Sequence, residues 1–356
     1  MRRRRNGTME KAKKFIVKNF VPITFLVLCL LGIMLSNVSV NFLGAELYKR
    51  VMRNTIMMLA LLVPIMAGMG INFSIVIGAL CSQFATVIII DRKIEGITGF
   101  IAVIIISLIM AYICGNIIGY ILNRSKGREM ITSLVIGLLG TSIYNLIFMA
   151  GYGTIITPNN DKIMLSSGIG VQSMIDLKPM KAIILEYPLI PIVFIILVTL
   201  IIKYIVGTKL GSKLKAVGSN MQNAYSLGID VDKSRKQAII ISTMIASVGH
   251  LMFIFDIGSL NVYTGHLNVD VFACAALLAG GATLNKANLK NVFVGVVLFH
   301  TLFIVSPLAG KALFENAAIG EYFRSFIAYS TIVFSLMINI HNEKKEKIYT
   351  QQVHLQ

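Results

Sequence analysis

Tryptophan is absent from this chain, and charged residues make up only 14% of it. Soluble domains carry about 25% charged residues, so the shortage of charge argues against a water-facing globule. With no Trp, an aromatic belt at a lipid headgroup layer would have to rely on the 12 Tyr. No Gly-rich phosphate loop ending in Lys and Ser or Thr occurs, which excludes ATP use by that route. HExxH and GxSxG are missing too, so neither a zinc-protease helix nor a hydrolase elbow is present, and no cofactor or metal is implied. The four cysteines, Cys29, Cys81, Cys114 and Cys274, show no CxxC or Cys/His spacing and sit inside apolar runs, where they read as small buried hydrophobes.

Apolar sequence fills the rest: 56% of the 356 residues are hydrophobic, spread from end to end. About 20 apolar helical residues cross a hydrocarbon core of roughly 30 Å. Phe20–Val40 is long enough and follows the basic Arg2–Arg5 and Lys11–Lys14. A signal peptide begins similarly, but no small-x-small cleavage pattern follows, so the run reads as a retained helix. Asn54–Ile90 holds no charge and would make one helix of about 55 Å, too long for a single crossing. Pro64, Gly68 and Gly70 supply a break, giving one span to Met69 and another from Asn72. Further spans are expected at 97–122, 130–150, 188–202, 238–255, 269–283, 291–306 and 325–340. The fold class is therefore an all-α, polytopic membrane bundle of about ten transmembrane helices, discontinuous near Pro64–Ser74.

Lys and Arg set the orientation. With the N-terminus inside and alternating spans, 23 of the 33 basic residues fall on the cytoplasmic side. Both termini are thus expected in the cytoplasm of a multi-pass cell-membrane protein. The domains are a basic segment 1–19, a transmembrane region 20–340 with a cytoplasmic loop 207–237, and a tail 341–356. The net charge of +17 belongs to these loops. No basic helical face interleaved with aromatics is present, so nucleic acid is not an expected partner.

Two places carry candidate function. Gly70 with Asn72, Phe73 and Ser74 would leave polar backbone at a helix break, tolerated in a membrane only inside protein or beside a cavity. A satisfied kink between packed helices is the plainer alternative. Asn116 and Asn145 join these as candidates for a solute path. His250 and His300 read as hydrogen-bonded to neighbours, and Asp256 and Asp270 as span-end residues within reach of water. The second place is the basic loop, where Ser219 or Asn220 can cap a short helix and Gly228 suits the left-handed position past its end.

The stretch Gly211-Ser-Lys-Leu-Lys-Ala-Val-Gly218-Ser-Asn220-Met-Gln-Asn-Ala224-Tyr-Ser-Leu-Gly228-Ile229 resembles the G-x-x-x-x-A-V/I-G-x-N-x-x-A-A-x-x-x-G-I segment of the ABC permeases for ribose, galactosides and related simple sugars. Nucleoside and branched-chain amino-acid permeases are more distant members. Gly70-Ile-Asn-Phe-Ser74 is similar to the family's G-I-D-L-S, with Asn72 where many sugar permeases have Asp and amino-acid permeases often read I-N-F. Leu278-Ala-Gly-Gly-Ala-Thr283 is similar to its V-x-G-G-x-S, with Asn285-Lys-Ala-Asn288 following in place of the usual Gly-Gly.

The resemblance implies a channel-forming importer subunit with no catalysis of its own. Gly218, Ser219, Asn220, Gln222, Ala224 and Gly228 would lie in a coupling helix seated on cytoplasmic ATP-binding subunits. An external solute-binding protein, a second permease copy or homologue, and lipid would complete the partners. Simple sugars come first as substrate, then nucleosides and branched-chain amino acids. An ion-coupled secondary transporter, which would want paired intramembrane carboxylates, and a membrane enzyme are the readings from other classes.

Overall fold

The computed structural model describes residues 19–177 and 189–354. The basic stretch 1–18 and the end of the loop before Leu189 lie outside the described residues, so the orientation argument drawn from them rests on sequence alone. Twelve α-helices occur among the described residues. They are α1 Phe20–Ser36, α2 Val40–Met66, α3 Ile75–Asp91, α4 Gly96–Arg124, α5 Glu129–Leu146 and α6 Leu189–Gly207. After these come α7 Lys209–Ser219, α8 Met221–Ser226, α9 Val231–Ile257, α10 Val269–Ala279, α11 Leu289–Phe314 and α12 Ala317–His354. A π-helical turn, Ile147–Gly151, prolongs α5. One antiparallel ribbon pairs β1 Met174–Asp176 with β2 Ser259–Asn261, Ile175 opposite Leu260.

Five of these segments (α4, α5 with its π turn, α6, α9 and α11) are long and apolar enough to cross a bilayer; α1, α3 and α10 are shorter and apolar. This is a polytopic helical membrane bundle. Each expected span meets a helix, but α2 begins at Val40, well before Asn54. Its first half carries Glu46 and Arg50, four residues apart and bonded at 3.1 Å, so charge there does not interrupt the helix.

Contacts divide the chain into two units, residues 1–51 with 274–356 and residues 52–273, and the chain passes between them within α2 and α10. In the larger unit α9 is the buried central helix. Glycines on its neighbours bring backbones together: a Cβ at Gly78 of α3 would stand 2.6 Å from the Thr243 carbonyl oxygen, and one at Gly115 of α4 would stand 2.9 Å from the Ile240 Cα. Lipid tails are as apolar as leucine, so such close packing, rather than a hydrophobic force, holds membrane helices together.

The outward face of α4 shows the same logic reversed. Ile97, Ile101, Ile105, Ile109, Ile113, Ile117 and Ile121 form an exposed stripe every fourth residue, while Ser107, Ala111, Gly115 and Gly119 face inward. A helix that turns its bulkiest apolar side chains outward is built for a hydrocarbon surrounding.

In the smaller unit, α11 packs on α1 and α12. Phe25 meets Phe299 at 6.3 Å between centroids. Cys29 donates its thiol to the Leu298 carbonyl at 3.2 Å. Cys81 and Cys274 are buried and Cys114 is half-buried, and among the described residues none of them forms a disulfide. The segment resembling V-x-G-G-x-S ends α10. Asn291 there donates to the Gly280 carbonyl at 2.8 Å and shares a reciprocal cap with Asn288, which starts α11.

Candidate functional site

Two sequence motifs meet at one end of the larger unit. Pro64 lies in the last turn of α2, and its carbonyl accepts the Met69 amide at 3.1 Å. Gly68 (φ +71°) and Gly70 (φ +68°) then turn the chain through the left-handed region that glycine tolerates. Residues 67–74 are not helical, yet Asn72, Phe73 and Ser74 are buried. The Asn72 carboxamide oxygen accepts from the Ser74 amide at 3.1 Å and the Ser74 hydroxyl at 2.5 Å. Ser133 of α5 accepts the Phe73 amide at 3.1 Å. The break is thus largely satisfied by local bonds, although the Asn72 Nδ2 meets no partner.

Against this turn lies the end of α7. A Cβ at Gly68 would stand 2.8 Å from the Gly218 Cα, and a Cβ at Gly218 would collide with the Met66 carbonyl oxygen. The loop motif has a physical reason at each position. Val217, Ala224 and Val231 form a small buried core, joined by Ala216, Met221 and Ile229. Asn220, rather than Ser219, caps α8 by accepting the Asn223 amide at 2.9 Å; Ser219 is the last residue of α7. Gly228 adopts φ +76° just past α8. With Ala224 turned inward, α8 leaves Gln222 and Tyr225 outward, and Leu227 follows just past its end; Tyr225 and Leu227 are 72% and 76% exposed.

Arg235, in the first turns of α9, joins this loop to the spans. Its guanidinium is fully buried, 2.5 Å from Glu129 at the start of α5, and donates to Asn123 at the end of α4 at 3.2 Å. It also points at the Met221 sulfur, 3.4 Å away. Sequence reading passed over Arg235 because it looked like one more basic loop residue; its place one turn inside an apolar helix was the available signal.

Deeper in the unit is a polar cluster that sequence reading did not assemble. Gln83 of α3, His250 of α9 and His266 of the 262–268 loop are all buried. Gln83 bonds His250 at 3.0 Å and His266 at 3.1 Å. Tyr144 of α5 sets its ring 5.4 Å from that of His266. Burial pushes the His266 imidazole down to about 4, so it is neutral at pH 7. The expected neighbour of His250 is therefore Gln83, a lone glutamine inside the long uncharged run.

The remaining candidates have surroundings of their own. Asn116 is half-buried on α4 and donates to the Tyr112 carbonyl within its own helix at 2.8 Å. Asn145 is half-buried in the last turn of α5, its side-chain oxygen without a partner. His300, in the smaller unit, packs edge-on against Phe299 and Phe303. Asp256 is ion-paired with Arg53 at a helix end, and Asp270 accepts the Val271 amide at 2.9 Å.

At the opposite end of the larger unit, the loop after α5 is tied down by Asp91. Its carboxylate accepts the Asn159 amide at 2.9 Å, the Asn159 side chain at 3.0 Å and the Asn160 amide at 3.2 Å. Among the described residues no three His, Cys, Asp or Glu converge as a metal site. Among the described residues this arrangement offers hydrogen bonds, a jointed loop and an apolar outer face.

A family model described as branched-chain amino acid transport system / permease component matches residues 46–340. No curated protein and no solved structure matches the chain.

Proposed function

The chain belongs to the family of permease components of branched-chain amino acid transport systems, and from that premise we propose that it forms the membrane path of an ATP-driven importer for a small, neutral, polar solute, with a simple sugar as the leading candidate. The observation that carries the reading is the α8 lever. One face of this short capped helix packs on its own core while Tyr225 and Leu227 project outward, and its approach touches the break after α2 through Gly218 and Gly68. A partner that moves α8 would move that break.

In this reading the partner is a separate cytoplasmic ATP-binding subunit, since the chain has no phosphate loop of its own. The loop 207–237 is its coupling element, and Gly218, Ser219, Asn220, Gln222, Ala224 and Gly228 build it. The basic ends 1–19 and 341–356 lie in the cytoplasm with that loop, as the distribution of Lys and Arg supports. A second permease copy or homologue completes the path, lined in part by Asn72, Phe73, Ser74, Asn116 and Asn145, and an external binding protein delivers solute. ATP drives the switch only by binding one of two access states better than the other. The pairing of Arg53 with Asp256 and of Arg235 with Glu129 leaves these charges committed to each other, which favours a neutral solute. The coupling segment favours sugars over nucleosides, while Asn72 and the family's own description favour a branched-chain amino acid as the second reading.

The test is affinity purification from native membranes of the double variant Tyr225→Ser, Leu227→Ser. The variant should remain in the membrane at normal abundance and lose co-eluting ATPase activity. Full ATPase recovery would remove the coupling assignment.

A further inference from the structure

The Gln83 cluster has a property that follows from hydrogen-bond arithmetic alone. A carboxamide offers donors at one end and an acceptor at the other. Because Gln83 bridges Nε2 of His250 and Nδ1 of His266, the two imidazoles must play opposite roles towards it. With the amide nitrogen facing His250, that ring accepts and keeps its proton on Nδ1, while His266 donates through Nδ1 and keeps a lone pair on Nε2. Turning the amide round reverses both rings. Either way, the outer nitrogens comprise one donor and one acceptor when both rings are neutral.

Neither outer nitrogen meets a hydrogen-bond partner, and the same holds for the Tyr144 hydroxyl beside His266. Buried polar groups are ordinarily paired, so three open positions around one bridge are unusual. The enclosing loop is built to come close. A Cβ at Gly265 would stand 2.9 Å from the Gln83 amide nitrogen, and Tyr263 anchors the loop by donating to the Val171 carbonyl at 2.7 Å.

We propose that Gln83, His250, His266 and Tyr144 form a binding site for the hydroxyl groups of a neutral polyol such as a sugar or the sugar of a nucleoside. This rests on the importer reading and narrows its substrate. Hydroxyls carry a donor and an acceptor on one atom, matching what the bridge leaves open in either amide orientation. A zwitterionic amino acid does not match: its ammonium group would find no carboxylate in the cluster, and its carboxylate no cation, so both charges would be buried unpaired. His250 and Gln83 lie on α9 and α3, which pack against each other within the larger unit, so a solute held here would be bound by two helices at once.

The experiment is uptake by intact cells of the native host, with substitutions placed at the gene's own position and radiolabelled D-ribose, D-galactose, uridine and L-leucine as probes. At least one hydroxylated probe should show saturable uptake that disappears when the chain is deleted. Tyr144→Phe removes only a hydroxyl that holds no protein partner, so folding is spared, and it should raise KM about tenfold, the loss of roughly one solute hydrogen bond. Gln83→Leu should abolish uptake while ATPase activity still co-purifies with the variant. Uptake confined to leucine, uptake of no hydroxylated probe, or an unchanged KM in Tyr144→Phe would each overturn the site and leave the importer reading standing. Failure of the unaltered chain to bring down any ATPase activity would sink both.

Discussion

Gly218 and Gly68 touch through bare backbone: a Cβ on Gly68 would stand 2.8 Å from the Gly218 Cα. Alanine at either position forces the α7 end and the turn after α2 apart. Gly68→Ala adds a left-handed φ of +71°, worth about 1–2 kcal/mol against folding. The variant is expected to melt at a lower temperature in detergent. Gly218→Ala keeps an ordinary φ but drives its Cβ into the Met66 carbonyl oxygen, so it too should melt at a lower temperature and should transport on the order of tenfold more slowly. Equal melting temperatures and equal uptake in both variants would show that the contact matters to neither.

Arg235 and Glu129 form a buried ion pair, and removing one member leaves the other charged and unpaired. Glu129→Leu should cost about 3–5 kcal/mol and sharply reduce the amount of protein in the membrane. The double variant Arg235→Met, Glu129→Leu should recover much of that stability, because no charge is left stranded. Thermal unfolding of the single and double variants checks the sign; a double variant as poor as the single one would contradict it.

Asn220 holds the first turn of α8 through one bond to the Asn223 amide. Asn220→Ala should weaken that turn by about 1 kcal/mol, and Asn220→Asp should restore it. Hydrogen exchange at residues 221–228 reads this directly, with several-fold faster exchange expected in the alanine variant alone.

Asp91 accepts three hydrogen bonds from Asn159 and Asn160. Asp91→Ala should free the loop 152–163, and limited proteolysis of membranes should then cut there on the order of tenfold faster. Unchanged cleavage would mean that other contacts hold the loop.

Hydropathy located the helices because a span must be long and apolar whatever its neighbours are. The break after Pro64 and the left-handed Gly228 were readable for a similar reason, since both depend on local backbone chemistry. What escaped is non-local. Arg235 finds Glu129 and Asn123 more than a hundred residues earlier in the chain, and no window of sequence brings them together. Gln83 escaped because one neutral side chain hardly alters the average of a long apolar run. Its meaning appears only when α9 and the 262–268 loop bring two imidazoles to it. The early start of α2 was missed because Glu46 and Arg50 look like a loop until their helical spacing is recognised.

The ribbon of β1 with β2 has a consequence for how the protein is made. Met174–Asp176 leaves the ribosome long before Ser259–Asn261, and α6 through α9 must all be synthesised in between. During that interval the first strand has an unsatisfied edge. The loop it belongs to can acquire its final form only after α9 has been inserted, so late truncations of the chain should leave early residues unsettled.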